Sequence, residues 1–443
     1  MMMRSLEQAC HDLNQIPLLR ELSGLLSARQ RCYLVGGAIR DLFLGYACND
    51  FDFVTPFDPT RLAQRLARNL SGHWFFLDEK RRQSRIVVPL DGGVIVCDFA
   101  PLRATSLLAD LSFRDFTINA IAIRIHSDIR SGDLYDPVHG LEGLRAAELS
   151  ICSENVLNSD PLRVLKGVRH CKKLHLTPNE HTVKALRAAA PLLQNVAKER
   201  VRKELGLILQ DFTPVMTLRW LLVAGAAPIL FGPWIQTGGI SEVTRRLEGY
   251  EHNAAKLLAS KYADFFQAIM REEFEEGFSR QATINLALLL QGRPINDLEN
   301  VIAGMKLSRA TSKALIGYLS LDSSKLFEIG RLTCGFRGRY WWLTALGPDP
   351  VGCLIYLVLS ISQCRHDLML RALCLAAEYA EGGKIADLVD GNWLCQKLKV
   401  GPGPVVGKAL QALRCAEIAD RVHSVEEARE FLGAWFKKSI DKI

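Results

Sequence analysis

Twelve cysteines are scattered through the chain without a single C-x-x-C pair and without the His/Cys spacing of a zinc site. That absence excludes a readable disulfide framework and a structural metal, and leaves reduced thiols as the expectation. Long apolar runs are also missing. The longest, around residues 351–362, is too short to span a bilayer, and Met1-Met2-Met3-Arg4-Ser5-Leu6-Glu7 lacks the apolar stretch and cleavage site of a secretory signal. These features predict a cytoplasmic protein with no membrane partner. There is no low-complexity tract and no strict internal repeat. The chain has two His-Asp pairs, His11-Asp12 and His366-Asp367; no H-x-x-x-H or upstream His cluster accompanies His366-Asp367, so it reads as ordinary helix surface rather than a metal-dependent hydrolase site.

What is present fits a globular chain of several domains, since 443 residues with 49% hydrophobic content can bury more than one core. A net charge of +7 mildly favours a polyanionic partner. The most informative stretch is Leu34-Val35-Gly36-Gly37-Ala38-Ile39-Arg40-Asp41, followed by Asp50-Phe51-Asp52-Phe53-Val54-Thr55. If the second part is a β-strand, its period of two puts Asp50 and Asp52 on one face and Phe51 and Phe53 on the other. One face packs while the other presents two carboxylates, which at that spacing can hold hard cations through oxygen ligands, with magnesium the natural choice. Gly36-Gly37 allows close backbone approach to a ligand, and a helix beginning near Ala38 would aim its first N–H groups at a triphosphate. Taken singly, Gly-Gly is a common turn and two Asp on a strand are often its wet face. Together they form G-G-x-x-R-D-x-x-x-G-x-x-x-x-D-x-D.

That pattern resembles the head domain of the class II tRNA nucleotidyltransferase and bacterial poly(A) polymerase family, part of the DNA polymerase β-type nucleotidyltransferase superfamily. Arg114-Asp115-Phe116-Thr117-Ile118-Asn119-Ala120 resembles the family's second motif, and Asp136-Pro137-x-x-Gly140 its third. Asp160-Pro161-Leu162-Arg163 is similar to the nucleotide-selecting motif, and Glu199-Arg200-Val201-Arg202-Lys203-Glu204-Leu205 to the segment that braces it. Asp390-Gly391 and the Gly-Pro-rich residues 401–407 resemble the tail of long members. The fold implied is α+β: a polymerase β-like nucleotidyltransferase head with a mixed sheet and helices, then a mostly α-helical neck, body and tail. The expected parts are a helical lead-in over 1–30, the catalytic head over 31–140, the neck over 141–212, the body over 213–322 and an RNA-binding tail over 323–443. Short alternating runs between 30 and 125 and three- to four-residue apolar spacing after Leu141 agree with this order.

The resemblance implies template-independent addition of C, and A as an alternative, from CTP and ATP to the 3′ end of tRNA. Asp50 and Asp52 would be catalytic and hold Mg2+. Asp98, on a strand expected beside them, would be a third acid. Gly36, Gly37, Arg40, Arg114, Asp115 and Asn119 would bind the triphosphate and ribose. Asp160 and Arg163 would read the base edge, the carboxylate accepting from the exocyclic amine that cytosine and adenine share and that G and U lack. The bland alternative for Asp160 is a helix N-cap with Pro161 at the first helical position. Lys166, Arg169, Arg200 and Arg202 would meet RNA phosphates, or else form a solvated helix face. Two departures stand out. Ser159 occupies the position where relatives carry Glu, and Phe113 that of the first Arg of the second motif. Only a short stretch from Phe99 to Phe113 separates the third acid from the second motif, leaving little room for the flexible loop associated with A addition. The expectation leans to CC addition, with full CCA addition or poly(A) synthesis as alternatives. A catalytically weakened RNA-binding protein is the rival of another class. The sequence is silent on oligomeric state.

Overall fold

The computed structural model describes residues 3–440 except 91–92, 237–239, 294, 362–363, 384, 399–400 and 402. Ser362, which ends the apolar run, and Pro402 of the Gly-Pro-rich stretch therefore lie outside the described residues. The chain forms two compact units. One comprises Met1–Val196 together with Trp220–Ile229, the other Ala197–Arg219 with Leu230–Ile443.

The first unit is built on a seven-stranded mixed sheet. Its strands are β1 (Tyr33–Val35), β2 (Asp50–Thr55), β3 (His73–Asp78), β4 (Gln83–Leu90), β5 (Gly93–Pro101), β6 (Ala122–Arg124) and β7 (Leu134–Tyr135), in the order β3-β4-β5-β2-β1-β6-β7. Only β2 and β5 run parallel. Phe51, Phe53 and Phe99 project from one face and stack on each other at 6.4 and 4.8 Å. The helix Thr60–Asn69 brings Leu62, Ala63, Leu66 and Ala67 to the inside of this unit, the i, i+1, i+4, i+5 spacing of an amphipathic helix.

The opposite face is treated differently along its width. Over β1 and β6 it is closed by the helix Leu107–Ser112, whose Leu107 and Leu111 join Tyr33, Val35, Val54 and Ala122 in a buried cluster. Over β3, β4 and β5 it stays open, with Phe75, Leu77 and Val94 at 44, 48 and 48% exposure.

The third-motif residues explain themselves structurally. The Asp136 carboxylate accepts from the N–H groups of Gly140 and Leu141 at 2.6 and 2.9 Å, capping the helix Gly140–Arg145. Glycine is required because a Cβ at 140 would stand 2.1 Å from the carbonyl oxygen of Thr117.

The second unit is mostly helical. Its helix Arg280–Leu290 is buried along its entire length, which obliges its polar side chains to find partners inside. Arg280 forms a fork on Asp349 at 2.7 and 3.0 Å, and Tyr318 donates to the same carboxylate at 2.5 Å. Asn285 Nδ2 donates to the carbonyls of Leu209 and Asp211. The helix Pro350–Ser360 is buried from Val351 to Leu359. Among the described residues no single helix is long and apolar enough to cross a membrane. All twelve cysteines are free thiols.

Candidate active site

In the first unit, β2 places Asp50 and Asp52 on the open side of the sheet, with exposure alternating along the strand as far as Phe53. β1 ends at Val35, and Gly36 turns the chain with φ +81° into the helix Gly37–Phe43. That conformation favours glycine, and a Cβ there would sit 3.2 Å from Arg114 Nη1 and 3.6 Å from Asp52 Oδ2. The glycine thus brings the backbone against the acid. The first turn of the helix leaves N–H groups without intrahelical acceptors at the same place.

These elements open onto a cleft of about 550 Å3. It is lined by Gly36, Gly37, Arg40, Asp50 and Asp52, by Arg114, Asp115 and Asn119, and by Asp160, Arg163, Lys166 and Arg169. Of the residues singled out in the sequence, all but Asp98, Arg200 and Arg202 meet there. Ala38, Asp41, Cys48, Arg103, His170 and Lys173 complete the lining. His170 and Lys173 belong to the basic run 166–173 that the sequence offers to RNA phosphates, and Lys173 continues the 163, 166, 169 series one turn further along the helix Arg163–Leu174. Arg103, which a loop delivers, had no such signal. Seven Arg and Lys side chains face five carboxylates, a surplus suited to a polyphosphate.

The electrostatics of the two acids differ. Burial pushes Asp52 up to about 6, despite the guanidinium of Arg114 nearby, with Asp50 and Asp98 adding to the rise. Asp50 is raised too, by burial first and then by Asp98, against the pull of Arg85. Both side chains reach solvent at the mouth of the strand, and two neighbouring carboxylates on one face repel each other, so the site gains by receiving a cation. Among the described residues no group of three or more His, Cys, Asp or Glu could hold a metal ion, so two carboxylates are what the protein offers. That is a donor set adequate for magnesium when substrate phosphates and water supply the rest.

Behind the acids lies a polar network. Arg40, 6% exposed, pairs with Asp41 at 2.6 Å and donates to Asn119 Oδ1 at 2.6 Å. Asn119 Nδ2 in turn lies 3.1 Å from Asp115 Oδ1 and 3.3 Å from His170 Nε2. Asp115 accepts from Asn119 Nδ2 and from the Phe116 N–H at 2.8 Å. Burial, followed by the repulsion of Arg169 and Arg40, holds His170 well below the ordinary imidazole range, so it is neutral. The buried Asp110 receives the Arg103 N–H at 2.8 Å and lies 3.7 Å from Arg114, tying two cations of the cleft together. Arg114 Nε is buried without a hydrogen-bond partner.

Asp160 leaves the short helix Val156–Ser159 in extended backbone, and its carbonyl accepts from the Arg163 N–H at 3.0 Å, so Asp160-Pro161-Leu162 is the turn that leads into the helix Arg163–Leu174. The helix-start role of Asp160 and Pro161 therefore stands together with their place on the cleft. The two departures converge on Arg163, whose Nη1 donates to the carbonyls of Val156 at 3.1 Å and Phe113 at 3.4 Å. Ser159 Oγ donates to the same Val156 carbonyl at 2.9 Å. Backbone carbonyls therefore orient this guanidinium, with Ser159 on one of the same acceptors.

Asp98 lies level with Asp52 on β5, on the same face, but outside the cleft, and its carboxylate takes a two-pronged pair from Arg85 at 2.7 and 2.8 Å. Arg200 and Arg202 belong to the second unit, on the helix Lys198–Leu209. Arg202 pairs with Glu275 at 3.1 Å and donates to the Lys306 carbonyl at 2.5 Å. Its guanidinium is engaged in holding helical segments of that unit, which corrects the expectation that it is available to a phosphate.

Residues 32–106 and 96–150 match the family described as the poly A polymerase head domain, and residues 175–236 the one described as a probable RNA and SrmB-binding site of polymerase A. An A-adding tRNA nucleotidyltransferase of Deinococcus radiodurans is 38% identical, with 92% of this chain and 96% of that protein covered. A CC-adding tRNA nucleotidyltransferase of Geobacter sulfurreducens is 29% identical, with 90% and 91% covered. Among solved structures, a CCA-adding enzyme in complex with ATP shares the fold at a TM-score of 0.71 and 20% identity, covering 98% of this chain and all of that one. A Thermotoga maritima CCA-adding enzyme complexed with tRNA gives 0.66 at 21% identity, covering 98% and 100%.

Proposed function

The chain belongs to the tRNA nucleotidyltransferase and poly(A) polymerase family, and from that premise we propose that it adds C residues from CTP to the 3′ end of tRNA, with Asp50 and Asp52 as the acids of the reaction. The observation that carries this reading is the cleft in which two carboxylates on one strand face seven basic side chains. When bound between Asp50 and Asp52, magnesium would supply an acidified hydroxyl and charge neutralisation at the phosphate.

The protein's own residues do the rest. The turn at Gly36-Gly37 and the start of the following helix admit the triphosphate close to the backbone. Arg114 and Arg40, held by Asp110 and by Asp41 with Asn119, present cationic groups fixed before substrate arrives, which spares reorganisation during transfer. Asp160 and Arg163 form the edge against which the incoming base is read. The carboxylate accepts from the amine of cytosine or adenine, and G and U set a carbonyl against it. Asp98 serves chiefly to hold Arg85, so its loss should cost less activity than loss of Asp52.

The preference for CC addition rests on the connection between β5 and the helix Leu107–Ser112, which amounts to residues 102–106. A addition is the second reading, favoured by the A-adding relative's similarity along nearly the whole chain. Primer extension with magnesium decides between them, using tRNA transcripts ending at the discriminator base, at C or at CC, each given CTP, ATP or both. Two C residues added, and no A on the CC-ended transcript, is the expected result. A single A on that transcript establishes the second reading. In either case Asp52→Asn should lower the rate at least roughly a hundredfold, consistent with loss of several kcal/mol of metal-dependent stabilisation, and absence of any addition by the native protein would favour the RNA-binding rival.

A further inference from the structure

The cleft accounts for only part of the sheet face that carries Asp50 and Asp52. The same face continues sideways: Asp52 is level with Asp98 on β5, Asp98 is opposite Arg85 on β4, and Arg85 is opposite Phe75 on the edge strand β3. One row over, Asp50 is level with Val96, which is opposite Val87. Three strand spacings carry this row about 14 Å away from the acids. Along it, apolar and aromatic groups lie open to solvent, Phe75 at 44% and Leu77 at 48%. The guanidinium of Arg85 is held by its fork on Asp98, and the Arg85 side chain is still 37% exposed. Beyond Leu77 the β3–β4 turn carries Lys80, Arg81 and Arg82, all exposed, with Arg81 and Arg82 each in a loose surface pair at 3.6 Å, with Asp78 and Asp58 respectively, that solvent screens.

We propose that this strip is the bed for the single-stranded 3′ end of the acceptor RNA, with Phe75 and the Arg85 guanidinium stacking on its last bases and the basic turn receiving its phosphates. The inference rests on the transfer reading above, because it asks how the attacking hydroxyl reaches Asp50 and Asp52. On the β1 side the face is closed by the helix Leu107–Ser112, and the cleft there is taken by the cations that suit the triphosphate. The open approach to the acids is across β5. An exposed sheet face with an aromatic ring next to an arginine plane is a surface on which bases stack without regard to sequence. Lysine and arginine at the turn match a phosphate backbone, and such charges at a sheet edge discourage pairing with another strand.

The test compares native protein with Phe75→Ala, Phe75→Trp and the combined Lys80→Ala, Arg81→Ala, Arg82→Ala variant. KM is measured for a tRNA transcript and, separately, for CTP, and binding of the transcript is followed by fluorescence anisotropy without nucleotide. Stacking of one base contributes about 1–3 kcal/mol, so Phe75→Ala should raise the tRNA KM and Kd about tenfold and leave the CTP KM unchanged. Phe75→Trp should keep native values. The triple variant should weaken tRNA binding and flatten its salt dependence. Unchanged tRNA binding in Phe75→Ala overturns the bed, whether or not the native protein transfers nucleotides. An equal rise in both KM values, or a change of oligomeric state without a change in tRNA binding, also overturns it. Weakened binding by Phe75→Ala with an inactive native protein upholds the bed and removes the transfer reading instead.

Discussion

Ser159 shows how a single residue can move a function onto the backbone. Without a carboxylate at this position, Arg163 is oriented by the carbonyls of Val156 and Phe113, neutral acceptors that hold a guanidinium less firmly than an acid does. Ser159→Glu should tighten the reading of the base, lowering misincorporation of UTP and GTP relative to CTP about tenfold in single-turnover assays, a change that corresponds to about 1.4 kcal/mol. His170 offers a pH test. Its folded value lies well below the ordinary imidazole value of 6.5 because it is buried. As pH falls through 6.5 the unfolded chain takes up a proton that the folded one refuses, so stability is present above 6.5 and is lost progressively below it, by up to about 1.4 kcal/mol per pH unit. Denaturant titrations between pH 7.5 and 5.5 should show this slope in the native protein, and a shallower one in His170→Gln. The acids, the glycines and the second-motif residues were legible because each has a chemical type at a fixed spacing on one element. Arg103 and Asp110 were not, since nothing in a loop sequence tells which carboxylate its N–H will find.

Elements were legible where their periodicity was pure. The strand Asp50–Thr55 alternates polar and aromatic residues, and its burial follows until Phe53, where the closing helix covers the remainder. The helix Arg280–Leu290 is the opposite case. Arg280, Gln281, Thr283 and Asn285 would mark a partly wet helix by composition, yet every residue in it is buried. Tertiary partners on three other segments, Asp349, Tyr318 and the carbonyls near Asp211, make that possible. Asp349→Ala leaves the Arg280 guanidinium buried without its fork, and should destabilise the helical unit by about 3–5 kcal/mol in thermal or chemical unfolding, whereas a change at an exposed ion pair such as Arg365 with Asp367 should be nearly silent. The region from about 215 to 380, uninformative in sequence, was uninformative for this reason: its order is set by buried polar contacts between distant segments.

At the scale of the molecule, charge and topology matter more than any one contact. A net charge of +7 and the cationic cleft imply that acceptor binding releases counterions, in keeping with the flattened salt response expected when the β3–β4 turn is neutralised. The division into two units was the least legible feature, because the turn-prone residues that interrupt helical periodicity near 210–214 and 319–325 are not where the units part, which is after Val196 and again on either side of Trp220–Ile229. The path is nevertheless unusual: the chain leaves the first unit after Val196, returns to it for Trp220–Ile229, and leaves again. The returning decapeptide contributes buried Leu221, Ala224, Ala226 and Ala227, and the carbonyl of Val223 accepts from Arg187. The catalytic unit is thus not a cassette that recombination can lift out with one cut. A chimera that grafts this head onto another relative's helical portion inherits a foreign strip of core unless the decapeptide travels with it, so new specificities in such a lineage are more readily reached by point changes around the cleft than by exchange of whole parts.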